Sequence, residues 1–123
     1  MTHWSDPDLA KVSAAEELDL ESERADGTLR DRVTMWVVRA GDHLYVRSVK
    51  GTDGPWYRGT QSRHQGHIDA GGVRRNVTFR EADPAEYAAV DAAYREKYGR
   101  YPSIVEHVLT DRARESTLRL EPR

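Results

Sequence analysis

Three glycine-centred turns constrain what this chain can fold into. Asp26-Gly27 stands between Leu18-Asp19-Leu20-Glu21-Ser22 and Val33-Thr34-Met35-Trp36-Val37-Val38. Gly41-Asp42 separates that second run from Leu44-Tyr45-Val46-Arg47. Gly71-Gly72 separates Gly66-His67-Ile68-Asp69 from Val73-Arg74-Arg75-Asn76-Val77-Thr78-Phe79. A tight hairpin turn needs positive φ, which glycine, asparagine and aspartate supply at least cost. The flanking runs alternate in polarity and are rich in β-branched residues, as half-buried strands are. With a short strand over Thr117–Leu120, the pattern predicts six strands.

Helix signals fall between the strands. Ser5 or Asp6 can cap a first helix, with Pro7 in its first turn and Leu9 and Val12 facing inward. Trp4 can pack on Leu9 as a staple. A second helix is expected to begin near Pro55 and to carry Trp56, Tyr57 and Arg58. In the third, Asp83 caps, Pro84 follows and Glu86 closes a capping box. Tyr87, Val90, Tyr94 and Tyr98 then line one face, and Gly99 is a natural stop. Ile104, Val105, Val108 and Leu109 predict one more short helix. Three antiparallel strands, a helical crossover and a second hairpin need a closed or nearly closed sheet to hide their edges. The expected fold is therefore β-rich α+β: a small six-stranded split β-barrel, mostly antiparallel, with peripheral helices. A two-layer α+β sandwich is the competing architecture.

The 123 residues fit one domain, expected to span 1–123. Charged residues are 33%, above the average share, so the core is thin under a charged surface. The net charge of −2 argues against counterion-release binding to nucleic acid. Absence of cysteine excludes disulfides, thiolate catalysis and cysteine-ligated metals. No run approaches a membrane span, and Met1-Thr2-His3-Trp4-Ser5-Asp6 is no secretory signal, so a cytoplasmic protein is expected. Nine of the ten aromatic residues are Trp or Tyr. These residues favour places where one end is buried and the other wet, such as pockets and subunit interfaces, or the rim of a small core.

One stretch joins the means of holding a phosphate. Arg47 offers a bidentate fork, Lys50 a point charge and Ser48 a hydroxyl, and a helix is expected to start near Pro55. A solvated loop with two surface cations is the alternative. On the second strand, Thr34 and Trp36 share one face and Val33, Met35 and Val37 the other. The Val-Met-Val face is expected to fill the barrel, leaving Thr34 and Trp36 toward a groove or a partner subunit; otherwise Trp36 covers an edge of the core. Trp56 and Tyr57 read as pocket wall or as helix packing.

His64, His67 and Asp69 offer the residue types of an iron site, but their spacing is too tight for the usual arrangement, and no metal is expected. No nucleophile elbow, Walker loop or dinucleotide glycine motif occurs. The adjacent acids Glu16-Glu17, and the pair His107 and Tyr101, do not stand out from a charged surface, so catalytic residues stay unassigned.

Glu23-Arg24-Ala25-Asp26-Gly27-Thr28-Leu29-Arg30, then Val33–Val38, then Leu44-Tyr45-Val46-Arg47-Ser48 resemble the opening of the FMN-binding split barrel superfamily, which includes pyridoxamine-phosphate oxidases and deazaflavin-dependent reductases. Within it, Trp36-Val37-Val38-Arg39, Tyr45-Val46-Arg47-Ser48, Ala70-Gly71-Gly72-Val73 and Ala93-Tyr94-Arg95-Glu96-Lys97-Tyr98 are similar to an uncharacterised bacterial family, domain of unknown function 2255. The resemblance implies FMN or a deazaflavin held at the interface of a homodimer. Arg47, Ser48 and Lys50 would then contact phosphate, with Thr34, Trp36, Trp56 and Tyr57 beside the ring. Members can lack cofactor, so the alternatives are a cofactor-free barrel binding or converting a small organic ligand, and a non-catalytic interaction domain. Under the first two readings the partner is a small molecule, with no nucleic acid or membrane.

Overall fold

The hairpin turns position the sheet. In the computed structural model, which describes residues 3–123, Gly71 and Gly72 join strands paired at Ala70 and Val73, and both have positive φ. Gly41 and Asp42 join strands paired at Ala40 and His43, with positive φ at Gly41 alone, as a two-residue turn opened by glycine requires. Asp26-Gly27 behaves differently. It tops a smaller turn, held by Asp26 Oδ1 accepting from the Thr28 N–H and hydroxyl, inside a longer loop between paired strands.

The elements run α1 (Asp6–Ala14), β1 (Leu18–Ser22), β2 (Val33–Met35), β3 (Val38–Ala40), β4 (His43–Val46), α2 (Pro55–Thr60), β5 (Gln65–Ala70), β6 (Val73–Glu81), α3 (Tyr87–Tyr98), α4 (Pro102–Val108), α5 (Asp111–Arg114) and β7 (Leu118–Pro122). Short 3₁₀ turns precede α2 and α3. All pairings are antiparallel, and the seven strands form one sheet in the order β2-β1-β5-β6-β7-β4-β3. The expected six strands are thus seven, because the run read as one strand over Val33–Val38 is broken at Trp36-Val37. Its halves are the two edges of the sheet. A chain break of two residues between opposite edges means the sheet curls round until its edges meet in sequence without pairing.

The break has an identifiable cause. Val37 has no strand partner in the ladder; instead the Tyr98 hydroxyl accepts from its N–H (3.2 Å), and Lys97 Nζ donates to its carbonyl (2.7 Å). Two side chains of α3 satisfy backbone groups that would otherwise need a strand.

Two apolar clusters lie on either side of the curled sheet. Leu18, Leu20, Val37, Leu44, Val46, Ile68, Phe79, Leu118 and Leu120 form the inner one, closed by Trp4, Leu9 and Val12 of the first helix region. Trp4 also donates from Nε1 to the Leu120 carbonyl at 2.8 Å. Val38 and Tyr45 face the other way, against Val90, Tyr94 and Tyr98 of α3 and Val105 and Val108 of α4. This two-sided cover explains why Leu44-Tyr45-Val46 are all buried where a half-buried strand would alternate. The caps match expectation: Ser5 Oγ accepts from the Asp8 N–H, and Asp83 and Glu86 form the capping box. Gly99 ends α3 with φ −59, so it is not a left-handed stop; a Cβ there would lie 2.5 Å from the Arg95 carbonyl.

Candidate functional site

A cavity of about 460 Å³ opens where β2, the end of β4, the start of α2, α3 and α4 converge. Thr34, Trp36, Arg47, Ser48, Lys50 and Trp56 line it, with Val33, Met35, Tyr94, Ile104 and Val108 supplying much of the apolar wall. The volume is within the range of small-molecule sites. Tyr57 stands apart. It is buried in the inner cluster and donates from its hydroxyl to Glu81 Oε1 at 3.0 Å. Burial, and then that carboxylate, push its pKa up to about 12.

The break at Trp36-Val37 builds one wall. Freed from the ladder, the Trp36 ring lies flat on Tyr98, with centroids 3.8 Å apart and planes 5° from parallel, and Tyr101 extends the stack at 6.0 Å. Thr34 is exposed and donates to Asp19 Oδ1 at 2.5 Å, across the β1–β2 pair. Of the face expected to fill the barrel, Val37 is buried in the inner cluster and half-buried Met35 packs against it, while Val33 and Met35 also line the cavity. Trp56 is half-buried at the start of α2, edge-on to Tyr57.

Arg47 is the most tightly held residue of the site. Its side chain is 0% exposed. Nε donates to Thr117 Oγ1 at 2.8 Å, Nη1 to Asp91 Oδ1 at 2.5 Å and to the Val108 carbonyl at 2.9 Å, and Nη2 to the Tyr87 carbonyl at 3.3 Å. Its guanidinium also lies 5.5 Å from the Tyr94 ring centre. A buried cation requires such compensation. Burial alone would raise the Asp91 carboxyl, but hydrogen bonds from Arg114 and Arg47 outweigh it and hold its pKa below the ordinary value. The guanidinium thus ties β4 to α3, α4 and the start of β7.

Ser48 and Lys50 differ from Arg47. The Ser48 backbone is tied to Ser116, while Gly54, across the loop, leaves room for its hydroxyl: a Cβ on Gly54 would come within 2.3 Å of Ser48 Oγ. Lys50 is exposed and pairs with no carboxylate among the described residues. The helix start adds less than its position suggests, because α2 is six residues long and opens on Pro55, which has no N–H. A shallower cleft shares Val33, Pro55 and Trp56 with the cavity and adds Arg24, Arg30 and Asp31. Arg58 borders a further cleft beside Arg30.

Sequence reasoning placed Tyr94 on the buried face of α3 without assigning it to the site. Its only signal was the helical spacing that all core residues share. Ile104, one of the residues that predict the short helix α4, is half exposed on the cavity wall. His67 and Asp69 do lie on one face of β5, bonded to Asn76 and paired with Arg74, while His64 sits in the preceding turn with φ 56. Among the described residues, no three His, Asp or Glu side chains gather as a metal site. None of the helices there is long and apolar enough to cross a membrane.

Comparison with known proteins places this geometry. A family model described as "Uncharacterized protein conserved in bacteria (DUF2255)" matches residues 8–120. No curated protein matches the sequence. Among solved structures, the fold is similar to an F420-H2 dependent reductase (FDR-A), at 20% identity over 86% of this chain and 94% of the other, TM-score 0.67. It is similar to HutZ, the heme storage protein from Vibrio cholerae, at 11% identity over 96% and 89%, TM-score 0.63. It is also similar to a domain-swapped dimer, at 20% identity over 86% and 78%, TM-score 0.62. At these identities the likeness establishes the fold.

Proposed function

The chain belongs to the uncharacterised bacterial family DUF2255, and from that premise we propose that it binds a flavin-type cofactor, FMN or a deazaflavin, as an oxidoreductase acting on a small organic substrate. The observation that carries the reading is the cavity itself: about 460 Å³, largely apolar, with two tryptophans and an unpaired lysine among its lining residues. A flat ring with an anionic tail is the kind of molecule such a lining suits. One similar structure is described as an F420-H2 dependent reductase, and F420 is a deazaflavin.

The residues present fit such a group in most respects. Trp36, Trp56, Val33 and Met35 would bound the ring. Ser48, with space left by Gly54, and Lys50 would hold the phosphate, and in the adjoining cleft Arg24 and Arg30 outnumber Asp31 and leave that side net positive. A cofactor bound there would supply hydride chemistry. The chain's own work is to exclude water with its apolar wall, to orient the ring and to neutralise the phosphate. Arg47 does not fit the phosphate role implied by resemblance, since its guanidinium is enclosed and bonded inside the protein. That enclosure favours a second reading, a cofactor-free barrel holding a small organic ligand in the same cavity.

The protein is further proposed to act as a homodimer. Val49 and Ile104, both about half exposed, line the cavity and form an apolar rim that a second copy would cover. Titrating the purified protein with FMN and with a deazaflavin, followed by absorbance shift and fluorescence quenching, tests the cofactor reading. Micromolar binding of either is expected. No binding of either at high micromolar concentration overturns it in favour of the cofactor-free reading.

A further inference from the structure

Four tyrosines are buried in this protein: Tyr45, Tyr57, Tyr94 and Tyr98. Three of them spend their hydroxyls. Tyr45 donates to Glu86 Oε1 at 2.5 Å and Tyr57 to Glu81 Oε1 at 3.0 Å. Tyr98 donates to the Glu16 carbonyl at 2.7 Å and accepts from the Val37 N–H. Tyr94 is 0% exposed, and no group of the protein accepts from its hydroxyl; the Arg47 backbone N–H lies near it, on the donor side, and is the least of the influences on its pKa. Tyr98, one turn further along the same face of α3, is fully bonded, so the orphan is a property of the position and not of that helix face. Buried phenols almost always find a partner, and one left alone is costly.

The position is the cavity wall, to which Tyr94 contributes. Most other polar groups of the lining are already committed, Lys50 and the Ser48 hydroxyl excepted. The Thr34 hydroxyl serves Asp19, the Arg47 guanidinium makes four internal bonds, and the Ser48 N–H is held by Ser116. Burial raises the Tyr94 pKa above that of a free phenol, against the pull of the Arg47 cation. At neutral pH the group therefore keeps its proton and can donate it to an acceptor.

We propose that Tyr94 is a ligand-binding residue, whose hydroxyl donates a hydrogen bond to an acceptor oxygen, of the kind a ring carbonyl presents, on a molecule seated in this cavity. The proposal rests on reading the cavity as a ring site, and it narrows the class of ring: one with an acceptor at its edge reaching the α3 side, in place of a pure hydrocarbon. The hydroxyl is left unsatisfied in the protein alone because its partner arrives with the ligand.

The test uses the full chain as wild type and as Tyr94→Phe, which keeps the ring and its packing. FMN and a deazaflavin are titrated into each, and the flavin carbonyl stretch is recorded by infrared difference spectroscopy. Loss of one neutral hydrogen bond predicts affinity about five- to tenfold weaker in Tyr94→Phe, together with a carbonyl band moved to higher frequency. Without ligand, the variant should melt at or above the wild-type temperature, since an unsatisfied hydroxyl has been removed. Unchanged affinity and an unmoved band overturn the proposal. A ligand-free variant that melts several degrees lower also overturns it, because the hydroxyl would then be serving the fold. If wild type binds neither flavin, the ring reading falls by itself. The ligand-free melting temperature then decides for Tyr94, a rise supporting a donor reserved for another acceptor-bearing molecule and a fall ending the case.

Discussion

At the scale of single residues, Arg47 separates what a side chain offers from what its surroundings allow. Its place after a strand and near Ser48 and Lys50 suggests phosphate, and the sequence contains no hint of its true neighbours. Asp91, Thr117 and the Val108 carbonyl are all more than forty positions away in the chain. Removing one member of a buried ion pair strands the other charge. Arg47→Met is therefore expected to destabilise the protein by about 3–5 kcal/mol, measured by urea unfolding. Adding Asp91→Asn should recover part of the loss, although Arg114 then keeps only Asp111 as a carboxylate partner. A single variant within about 1 kcal/mol of wild type would show that the pair is not held as described. For the same reason, Arg47→Ala makes a poor probe of ligand affinity, since fold and site would change together.

At the scale of elements, the seam between α3 and the broken second strand stands out. Trp36 and Val37 look like a continuous strand because hydrophobic alternation runs through them. The break is imposed from outside, by the Tyr98 hydroxyl and the Lys97 ammonium on the Val37 peptide. That seam is pH-sensitive. Desolvation lowers the Lys97 pKa from 10.5 to about 8, with Glu16 opposing only weakly. Between these values the unfolded chain holds the proton that the folded chain has released, so stability rises with pH from about 8 toward 10. Above pH 10 the sign reverses, since Tyr45, Tyr57 and Tyr98 have pKa values raised by burial to about 12 and the unfolded chain ionises first. Urea midpoints measured from pH 7 to 10 should climb in wild type and stay flat in Lys97→Met. Equal slopes in the two proteins would place the titration elsewhere.

At the scale of the whole molecule, the sheet's two edges and the apolar rim pose one question, which is how a curled sheet with an open seam stays monomeric. Val49 and Ile104 at the rim predict that it does not, and light scattering at micromolar concentration should give twice the chain mass. Ile104→Lys should shift the balance toward monomer with little change in the stability of each copy. A monomer in wild type would remove the subunit interface from the account and leave the cavity to work alone.

Local chemistry is why so much of this was legible in advance. Glycine pairs, caps and alternation act over a few residues, so the hairpins at Gly41-Asp42 and Gly71-Gly72, the Asp83 capping box, the antiparallel α+β character and six of the cavity's fourteen lining residues could all be read from the sequence. The likeness to a bacterial family was legible too, in short runs of residues spread along the chain. What the tertiary structure alone decided depends on partners far apart in sequence. The seventh strand exists because α3 bonds to Val37. Arg47 is enclosed because Asp91, Thr117 and Val108 surround it. The Tyr94 hydroxyl is left without an acceptor beside a cavity because the elements that meet there supply none. Periodicity tells which side of a helix is buried; it cannot tell what that side is buried against.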